Sequence, residues 1–204
     1  MGKLSFPIDL FQQTETPFYA YDTALLDLTL RSIASEAHYG HGMHQPAVKV
    51  EYAVKANPNP AILRIIARAG LGADCVSGGE ITLALEAGIA AADITYAGVG
   101  KTDREIALAL DARIGCFNVE SVEELEIIDA IAREKGCVAP VALRVNPDID
   151  AHTHHYITTG LAENKFGISL GRLDEAVAAA VAMKGVELKG LHFHIGSQVL
   201  SYEP

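Results

Sequence analysis

The sequence predicts an α/β fold, a (β/α)8 barrel of the TIM type that is truncated here after about six strands. Three observations predict it. Short runs rich in Val, Ile and Tyr alternate with helical patterns, and the first four runs start roughly 22 residues apart, the length of one strand, loop and helix. Three helices begin with the sequence of a capping box at matching places. Apolar residues make up 50% of the 204 residues, which suits a parallel sheet that is buried on both faces.

The predicted strands follow one another in chain order. They are residues 48–54, 72–76, 94–97, 115–119, 141–145 and 190–195. Pro60 occupies the first position of the helix that follows Asn59, and Gly70, Gly88 and Gly136 stand just past helix ends. The capping boxes pair Ser77 with Glu80, Thr102 with Glu105, and Ser121 with Glu124. In such a box the hydroxyl accepts a hydrogen bond from the third helical amide, and the carboxylate accepts one from the amide of the cap residue.

Two features depart from a regular barrel. Residues 146–171, between the fifth and sixth strands, form a polar stretch that is too long for an ordinary βα loop, and we expect it to serve function at the catalytic face. The chain ends a few residues after the sixth strand, without a seventh or an eighth strand. We therefore expect residues 1–204 to be an N-terminal fragment of a longer protein.

The composition favours a small-molecule partner. The net charge is −10 and no run of Lys and Arg is present, which argues against binding to nucleic acid or to an anionic membrane. The first ten residues lack the pattern of a signal peptide, and no apolar stretch is long enough to cross a bilayer, so we expect a cytoplasmic protein. Three cysteines without a C-x-x-C pair predict reduced thiols rather than a disulfide framework or a zinc knuckle.

Lys55 is the most informative residue of the sequence. It closes an apolar strand and precedes Asn57, Pro58 and a new helix, which is the place where a β/α enzyme carries its chemistry. Desolvation lowers the pKa of such an amine, so that the free base can attack an aldehyde and form a Schiff base, the usual attachment of pyridoxal phosphate. A lysine that extends from a strand end into solvent is the alternative on position alone.

His192 and His194 stand two apart on the sixth predicted strand and therefore face the same side, toward the barrel mouth. The pair could ligate a metal, as in zinc hydrolases of barrel fold, stack on a planar cofactor, or lie in the core with satisfied hydrogen bonds. Ser197, which follows Gly196, could donate to a phosphate where the strand gives way to a loop.

Asp74 and Arg144 are charges inside apolar strands, and a strand buried on both faces tolerates a charge only with a partner. They predict either a structural ion pair or an active site, and Asp74 could also hold the Lys55 ammonium. Residues 98–102, Gly-Val-Gly-Lys-Thr, imitate a phosphate-binding loop but lack its first glycine, so we interpret them as a strand end and a helix cap. The histidines of residues 152–155 lie in a polar loop without cysteines, which is typical of solvated side chains.

Six segments carry a resemblance to a known family when they are taken together. They are residues 52–59 (Tyr-Ala-Val-Lys-Ala-Asn-Pro-Asn), 72–80 (Gly-Ala-Asp-Cys-Val-Ser-Gly-Gly-Glu), 118–121 (Asn-Val-Glu-Ser), 143–148 (Leu-Arg-Val-Asn-Pro-Asp), 164–167 (Asn-Lys-Phe-Gly) and 192–198 (His-Phe-His-Ile-Gly-Ser-Gln). In order and spacing they resemble the diaminopimelate decarboxylase family, of the alanine-racemase-like class (fold type III) of pyridoxal phosphate enzymes. The resemblance runs from about Pro17 to Gln198.

The resemblance implies a pyridoxal phosphate cofactor, no metal, and roles for individual residues. Lys55 matches the Schiff-base lysine, His194 matches the residue that stacks on the cofactor ring, and Ser197 matches a phosphate contact. The remaining candidates are Asp74, Arg144 and Lys165, which match residues around the lysine and ring, and Asn57, Glu80 and Asn146, which are further active-site candidates.

The activity that the resemblance implies is decarboxylation of meso-diaminopimelate at its D-configured centre, with release of L-lysine, by a homodimer. The family's Gly-rich phosphate loop, the acidic partner of the pyridine nitrogen and the arginine for the substrate carboxylate would all lie beyond Pro204. So would a C-terminal β domain, against which we expect residues 1–21 to pack. Residues 22–204 then form a partial cofactor-binding barrel.

Three alternatives stay open at the level of the sequence. The first is decarboxylation of another basic amino acid or of a polyamine precursor by the same cofactor. The second is a barrel metal hydrolase that uses His192 and His194, which leaves Lys55 and its Asn-Pro context without a purpose. The third is a protein that binds pyridoxal phosphate without catalysis.

Overall fold

A computed structural model describes residues 7–39, 48–147 and 166–196 of the chain. Its parallel strands are β1 Glu51–Ala53, β2 Gly72–Cys75, β3 Ile94–Tyr96, β4 Cys116–Val119, β5 Ala139–Asn146, β6 Ile168–Ser169 and β7 Val186–Phe193. The helices are α1 Ile8–Gln13, α2 Thr23–Tyr39, α3 Pro60–Arg68, α4 Gly78–Glu86, α5 Asp103–Ala112, α6 Val122–Glu134 and α7 Leu173–Ala182. From β1 to β5, helices and strands alternate as the sequence predicts, which confirms the α/β class.

The strands form one sheet in which β1 to β5 lie side by side in chain order, each pair being parallel. β5 also pairs in parallel with β7 along its length and with β6 at its carboxyl end. Successive parallel strands joined through helices are the units of the predicted barrel. The described part of the chain thus supplies a consecutive run of barrel strands.

Most strand bounds differ from the predicted ones by one or two residues, and larger differences occur in three places. β1 is confined to Glu51–Ala53, and Lys55 lies beyond it in a 3-10 turn over Val54–Ala56. The last strand starts at Val186, four residues earlier than the 190 predicted, because the segment before Gly190 pairs with β5. The polar stretch 146–171, from which no strand was expected, contributes β6. Residues 148–165 of that stretch lie outside the described residues.

The core lies between the sheet and the helices that cover it. In α3 the buried residues Ile62, Leu63, Ile65 and Ile66 recur at helical spacing and form one apolar face. Tyr96 of β3 and Phe117 of β4 are fully buried, with ring centroids 6.1 Å apart. Packing of these buried side chains therefore fixes the relative positions of the strands, including their ends.

Helix caps hold the loops at the carboxyl ends of the strands. The box at Thr102 is complete, with both reciprocal hydrogen bonds to Glu105. At Ser77 and Ser121 the serine hydroxyl accepts from the third helical amide as predicted. The prediction that the glutamate carboxylate accepts from the amide of the cap residue is wrong at both. Glu80 accepts from the amide of Val76 at 2.7 Å, and Glu124 from the amide of Glu120 at 2.9 Å, one residue before each cap.

The difference follows from the backbone of the cap residues. All three cap residues are extended, but Ser77 and Ser121 have φ of −156° and −153°, whereas Thr102 has φ of −87°. At the more negative φ the carboxylate accepts from the preceding amide rather than from that of the cap residue. Glu80 and Glu124 thereby fix Val76 and Glu120, the residues that directly follow β2 and β4. No helix in the ranges that the structure describes is long and apolar enough to cross a membrane.

Candidate active site

Those predicted site residues that the structure describes lie at the carboxyl edge of the sheet, where parallel βα folds bind their ligands. Their positions are Asp74 in β2, Arg144 and Asn146 in β5, His192 in β7, and Lys55 and His194 just beyond β1 and β7. The strand register places Ala53, the last residue of β1, beside Asp74, and places Arg144 beside His192. Residues far apart in the chain therefore become neighbours at this edge.

Lys55 lies in a turn that hydrogen bonds of neighbouring residues stabilise. The Asn57 side chain accepts a hydrogen bond from the amide of Asn59 (3.1 Å), and Asn59 in turn caps α3 by accepting from Ala61 (2.9 Å). The Tyr52 hydroxyl donates to the carbonyl of Asn57 at 3.4 Å. Asn57 thus shapes the loop. The Lys55 side chain is exposed, so the desolvation expected from the sequence is not provided by the described residues.

Asp74 is half-buried in β2 and lies within the electrostatic reach of Lys55. Burial raises the pKa of Asp74, the Lys55 charge acts against this, the Glu80 carboxylate adds to it, and Arg144 opposes it. The carboxylate is therefore placed where it could stabilise the Lys55 ammonium, as the sequence suggested.

Arg144 is nearly buried, and its partner is Glu120. Its Nη1 donates to Glu120 Oε1 at 2.7 Å, and the two side chains are 11% and 5% exposed. A charge pair this far from solvent requires close geometry to offset desolvation. The structure confirms the ion pair, and the pair lies among the other candidate site residues.

Phe166 covers the Arg144 guanidinium, with 5.1 Å between the guanidinium carbon and the ring centroid. Gly167 makes this approach possible. It has φ of +80°, and a Cβ there would stand 2.9 Å from the Arg144 carbonyl oxygen. Phe166 and Gly167 of the resemblance motif therefore allow a close contact between β5 and the segment that precedes β6.

The two histidines differ in their surroundings. His192 is half-buried, and burial, followed by the Arg144 charge, lowers its pKa. Its Nδ1 is buried without a hydrogen-bond partner within the described residues. His194 is more exposed, and its pKa is lowered by partial burial, by Arg144 and by Lys55. His194 is thus the histidine that shares an environment with Lys55.

The other candidates fall into two groups. Glu80 uses its carboxylate to hold the amide of Val76, and Asn146 is buried at the end of β5. Lys165 and Ser197 lie outside the described residues.

Sequence reasoning missed Glu120, and it interpreted Lys101 only as part of a loop before a helix. Glu120 directly follows an apolar strand within the Asn-Val-Glu-Ser segment, a position like that of Lys55 at the end of the first predicted strand. Lys101 gave no signal, because its partners are backbone carbonyls and a helix residue that only folding brings to it.

The chemistry of the cluster is that of a site for a small anionic carbonyl compound. It combines an exposed primary amine, a nearby imidazole of lowered pKa, a guanidinium and a carboxylate. Among residues 7–39, 48–147 and 166–196, no group of three or more His, Cys, Asp or Glu side chains could hold a metal ion. His192 and His194 therefore lack a third ligand in that part of the chain.

Comparison with known proteins agrees with the motif resemblance. Residues 30–204 match the family described as "Pyridoxal-dependent decarboxylase, pyridoxal binding domain". A diaminopimelate decarboxylase of Bacteroides thetaiotaomicron is 56% identical over 196 residues, which are 96% of this chain and 49% of that protein. The Haemophilus influenzae enzyme is 44% identical over 195 residues, 96% of this chain and 46% of its own length.

A solved structure extends the comparison to the fold. The crystal structure of Helicobacter pylori diaminopimelate decarboxylase complexed with L-lysine superposes with a TM-score of 0.87 at 43% identity, covering 97% of this chain and 48% of that one. This chain spans about half the length of the curated relatives it matches. The matched family covers most of the chain, including every residue of the cluster, and the chain therefore belongs to the pyridoxal-dependent decarboxylases, through the pyridoxal binding domain of that family.

Proposed function

We propose that the intact protein is a pyridoxal phosphate-dependent diaminopimelate decarboxylase, which removes carbon dioxide from the D-configured centre of meso-diaminopimelate and yields L-lysine. The observation that carries the proposal is the meeting of Lys55, Asp74, Arg144 and His194 at one edge of the sheet, in a chain whose relatives at 44% and 56% identity bear that name.

The cluster fits the cofactor by its chemistry. Lys55 offers an accessible primary amine for the aldehyde carbon, and His194 offers an imidazole whose pKa is lowered by partial burial, by Arg144 and by Lys55, which favours its neutral form. Arg144 supplies a fixed positive charge, and Ser197 and Lys165 join the site through the sequence resemblance. When bound, pyridoxal phosphate supplies a protonated aromatic ring that accepts the electron pair left behind by carbon dioxide.

The protein residues then have distinct tasks. Lys55 would hold the cofactor through its primary amine, and the same amine could carry a proton at the reacting centre. Asp74 stabilises the Lys55 ammonium, because its carboxylate and that ammonium interact across the β1–β2 edge. A neutral His194 presents an aromatic face without adding a positive charge beside Lys55.

The same cluster would also support decarboxylation of another basic amino acid or of a polyamine precursor. The roles proposed for its residues concern the cofactor, and none of them is recognition of the substrate side chain. The names of the close relatives favour diaminopimelate over these substrates. As part of the proposal, the protein acts as a cytoplasmic homodimer.

The test uses the protein expressed over its whole reading frame and supplied with pyridoxal phosphate. We expect L-lysine and carbon dioxide from meso-diaminopimelate, and at least a hundredfold slower release from L-ornithine or L-arginine. Lys55→Ala should abolish turnover. Lys49→Ala is the matched control, since Lys49 precedes the same strand at the opposite edge and pairs with Asp93. Faster turnover of ornithine or arginine than of meso-diaminopimelate would contradict the proposed substrate. Full activity of Lys55→Ala would contradict the proposed role of Lys55.

A further inference from the structure

A buried lysine lies beside the site but does not face it. Lys101 is in the loop between β3 and α5, and its side chain is 1% exposed. Its Nζ donates three hydrogen bonds: to the carbonyls of Gly98 (2.7 Å) and Asn118 (2.8 Å) and to Glu124 Oε1 (2.6 Å). An ammonium has three donors, so the group is fully satisfied.

Two of these bonds converge on the backbone around Glu120. Asn118 stands two residues before it, at the end of β4, and gives its carbonyl to Lys101. Glu124 lies in the first turn of α6, and its second carboxylate oxygen accepts the amide of Glu120 at 2.9 Å. Lys101 therefore fixes Glu120 from both sides, on one side through the strand and on the other through the helix.

Glu120 in turn holds the Arg144 guanidinium. Its Oε1 accepts from Arg144, while its Oε2 is buried without a hydrogen-bond partner within the described residues. The position of Glu120 thus determines where the guanidinium lies. Arg144 acts electrostatically on Asp74, His192 and His194.

We propose that Lys101 is a positioning residue of the active site, which places the Arg144 guanidinium through Glu124 and Glu120. The inference rests on the proposed function, because it assigns Lys101 to the site at which that function would occur. A lysine that merely connects two loops would not need its hydrogen bonds to Asn118 and Glu124 to converge on one residue, Glu120. Lys135 illustrates that simpler role: it forms a single bond to Asp111, near the ends of α5 and α6 that lie away from the site.

The first measurement needs no cofactor and therefore does not depend on the proposed function. In the intact apoprotein, histidine Cε1 resonances report the titration of His194, assigned with His194→Gln. His194 is the suitable reporter because Arg144 lowers its pKa, whereas Lys101 is not among the charges that act on it. His192 is unsuitable, since Lys101 acts on it directly.

We expect Lys101→Met to raise the pKa of His194, because a guanidinium that is no longer held in place is better screened by solvent. In a Glu120→Gln background, where the Arg144–Glu120 pair is already broken, Lys101→Met should change the pKa of His194 no further, since both substitutions act through that one pair. Lys135→Met should leave it unchanged. The proposal is overturned if Lys101→Met leaves the His194 titration at the wild-type value, if the two effects simply add, or if Lys135→Met shifts it equally.

A second measurement uses pyridoxal phosphate itself. Lys101→Met should weaken its binding roughly tenfold, with the same non-additivity toward Glu120→Gln. If Lys101→Met does not fold because Glu124 is left uncompensated, Lys101→Met/Glu124→Gln removes that charge and should show the same two effects. Failure of the wild-type protein to bind the cofactor would count against the proposed function, while the His194 titration would still decide the role of Lys101.

Discussion

At the scale of single residues, the site is organised around fixed positive charge. Arg144 is held by Glu120 and covered by Phe166, and its field reaches both histidines and Asp74. Lys55 adds a second positive charge, and of the two histidines it acts on His194. The different roles expected for the two histidines follow from this arrangement.

His194→Ala should impair the intact enzyme more than His192→Ala. Loss of an aromatic contact worth about 1 kcal/mol predicts roughly fivefold weaker pyridoxal phosphate binding in His194→Ala. His192→Ala should mainly change stability, because His192 is half-buried and is not under the influence of Lys55. Cofactor titration and lysine formation measure the difference. Equal losses in both variants, together with bound zinc, would favour the metal hydrolase instead.

Lys55, Asp74 and Arg144 could be found from the sequence because a charge next to or inside an apolar strand is costly without a partner. The identity of the partners could not. Arg144 pairs with Glu120, 24 residues away, because β4 and β5 are neighbours, and this depends on strand order rather than on local pattern. The exposure of Lys55 was equally hidden, since a run of apolar residues does not reveal that the strand ends at Ala53.

At the scale of elements, the loops at the carboxyl edge are tied to one another. Glu105, in the first turn of α5, accepts the amide of Gly78 at the start of α4 (2.9 Å), and Lys101 joins the next two loops. The helix starts were predictable from Ser, Thr and Glu spacing. The second partner of each glutamate was not, because it depends on the backbone conformation of the cap residue.

Gly167→Ala should destabilise the protein more than Gly136→Ala. Both glycines have positive φ, +80° and +66°, so both variants lose about 1 kcal/mol from the left-handed conformation. Only at Gly167 would the new Cβ collide with backbone, the Arg144 carbonyl oxygen, and this should cost roughly 1–3 kcal/mol more. Denaturant unfolding of the intact variants measures the gap. Equal losses would mean that β5 and the segment before β6 are not in close contact.

At the scale of the whole molecule, β1, β6 and β7 each have a neighbouring strand on one side only within the described ranges. Beside the β7 edge, Leu191 and Phe193 are 54% and 64% exposed. The repeated strand–helix spacing predicted the parallel sheet and the order of β1 to β5. It could not predict β6, because a two-residue strand carries no periodicity. The assignment of residues 1–21 to a separate packing unit stays a prediction.

Residues 1–204 expressed alone should self-associate and should not decarboxylate meso-diaminopimelate. Open strand edges and exposed apolar side chains favour pairing between chains. Light scattering and size-exclusion chromatography measure association, and lysine formation measures activity. A monodisperse protein with activity near that of a full-length relative would show that this prediction is wrong.

Attachment of pyridoxal phosphate to Lys55 is tested by borohydride reduction of the intact, cofactor-loaded protein followed by peptide mass mapping. Reduction makes the link between amine and cofactor permanent. We expect the added cofactor mass on the peptide that contains Lys55, with none on Lys49 or Lys101. Cofactor mass on another lysine, or on no lysine at all, would contradict it.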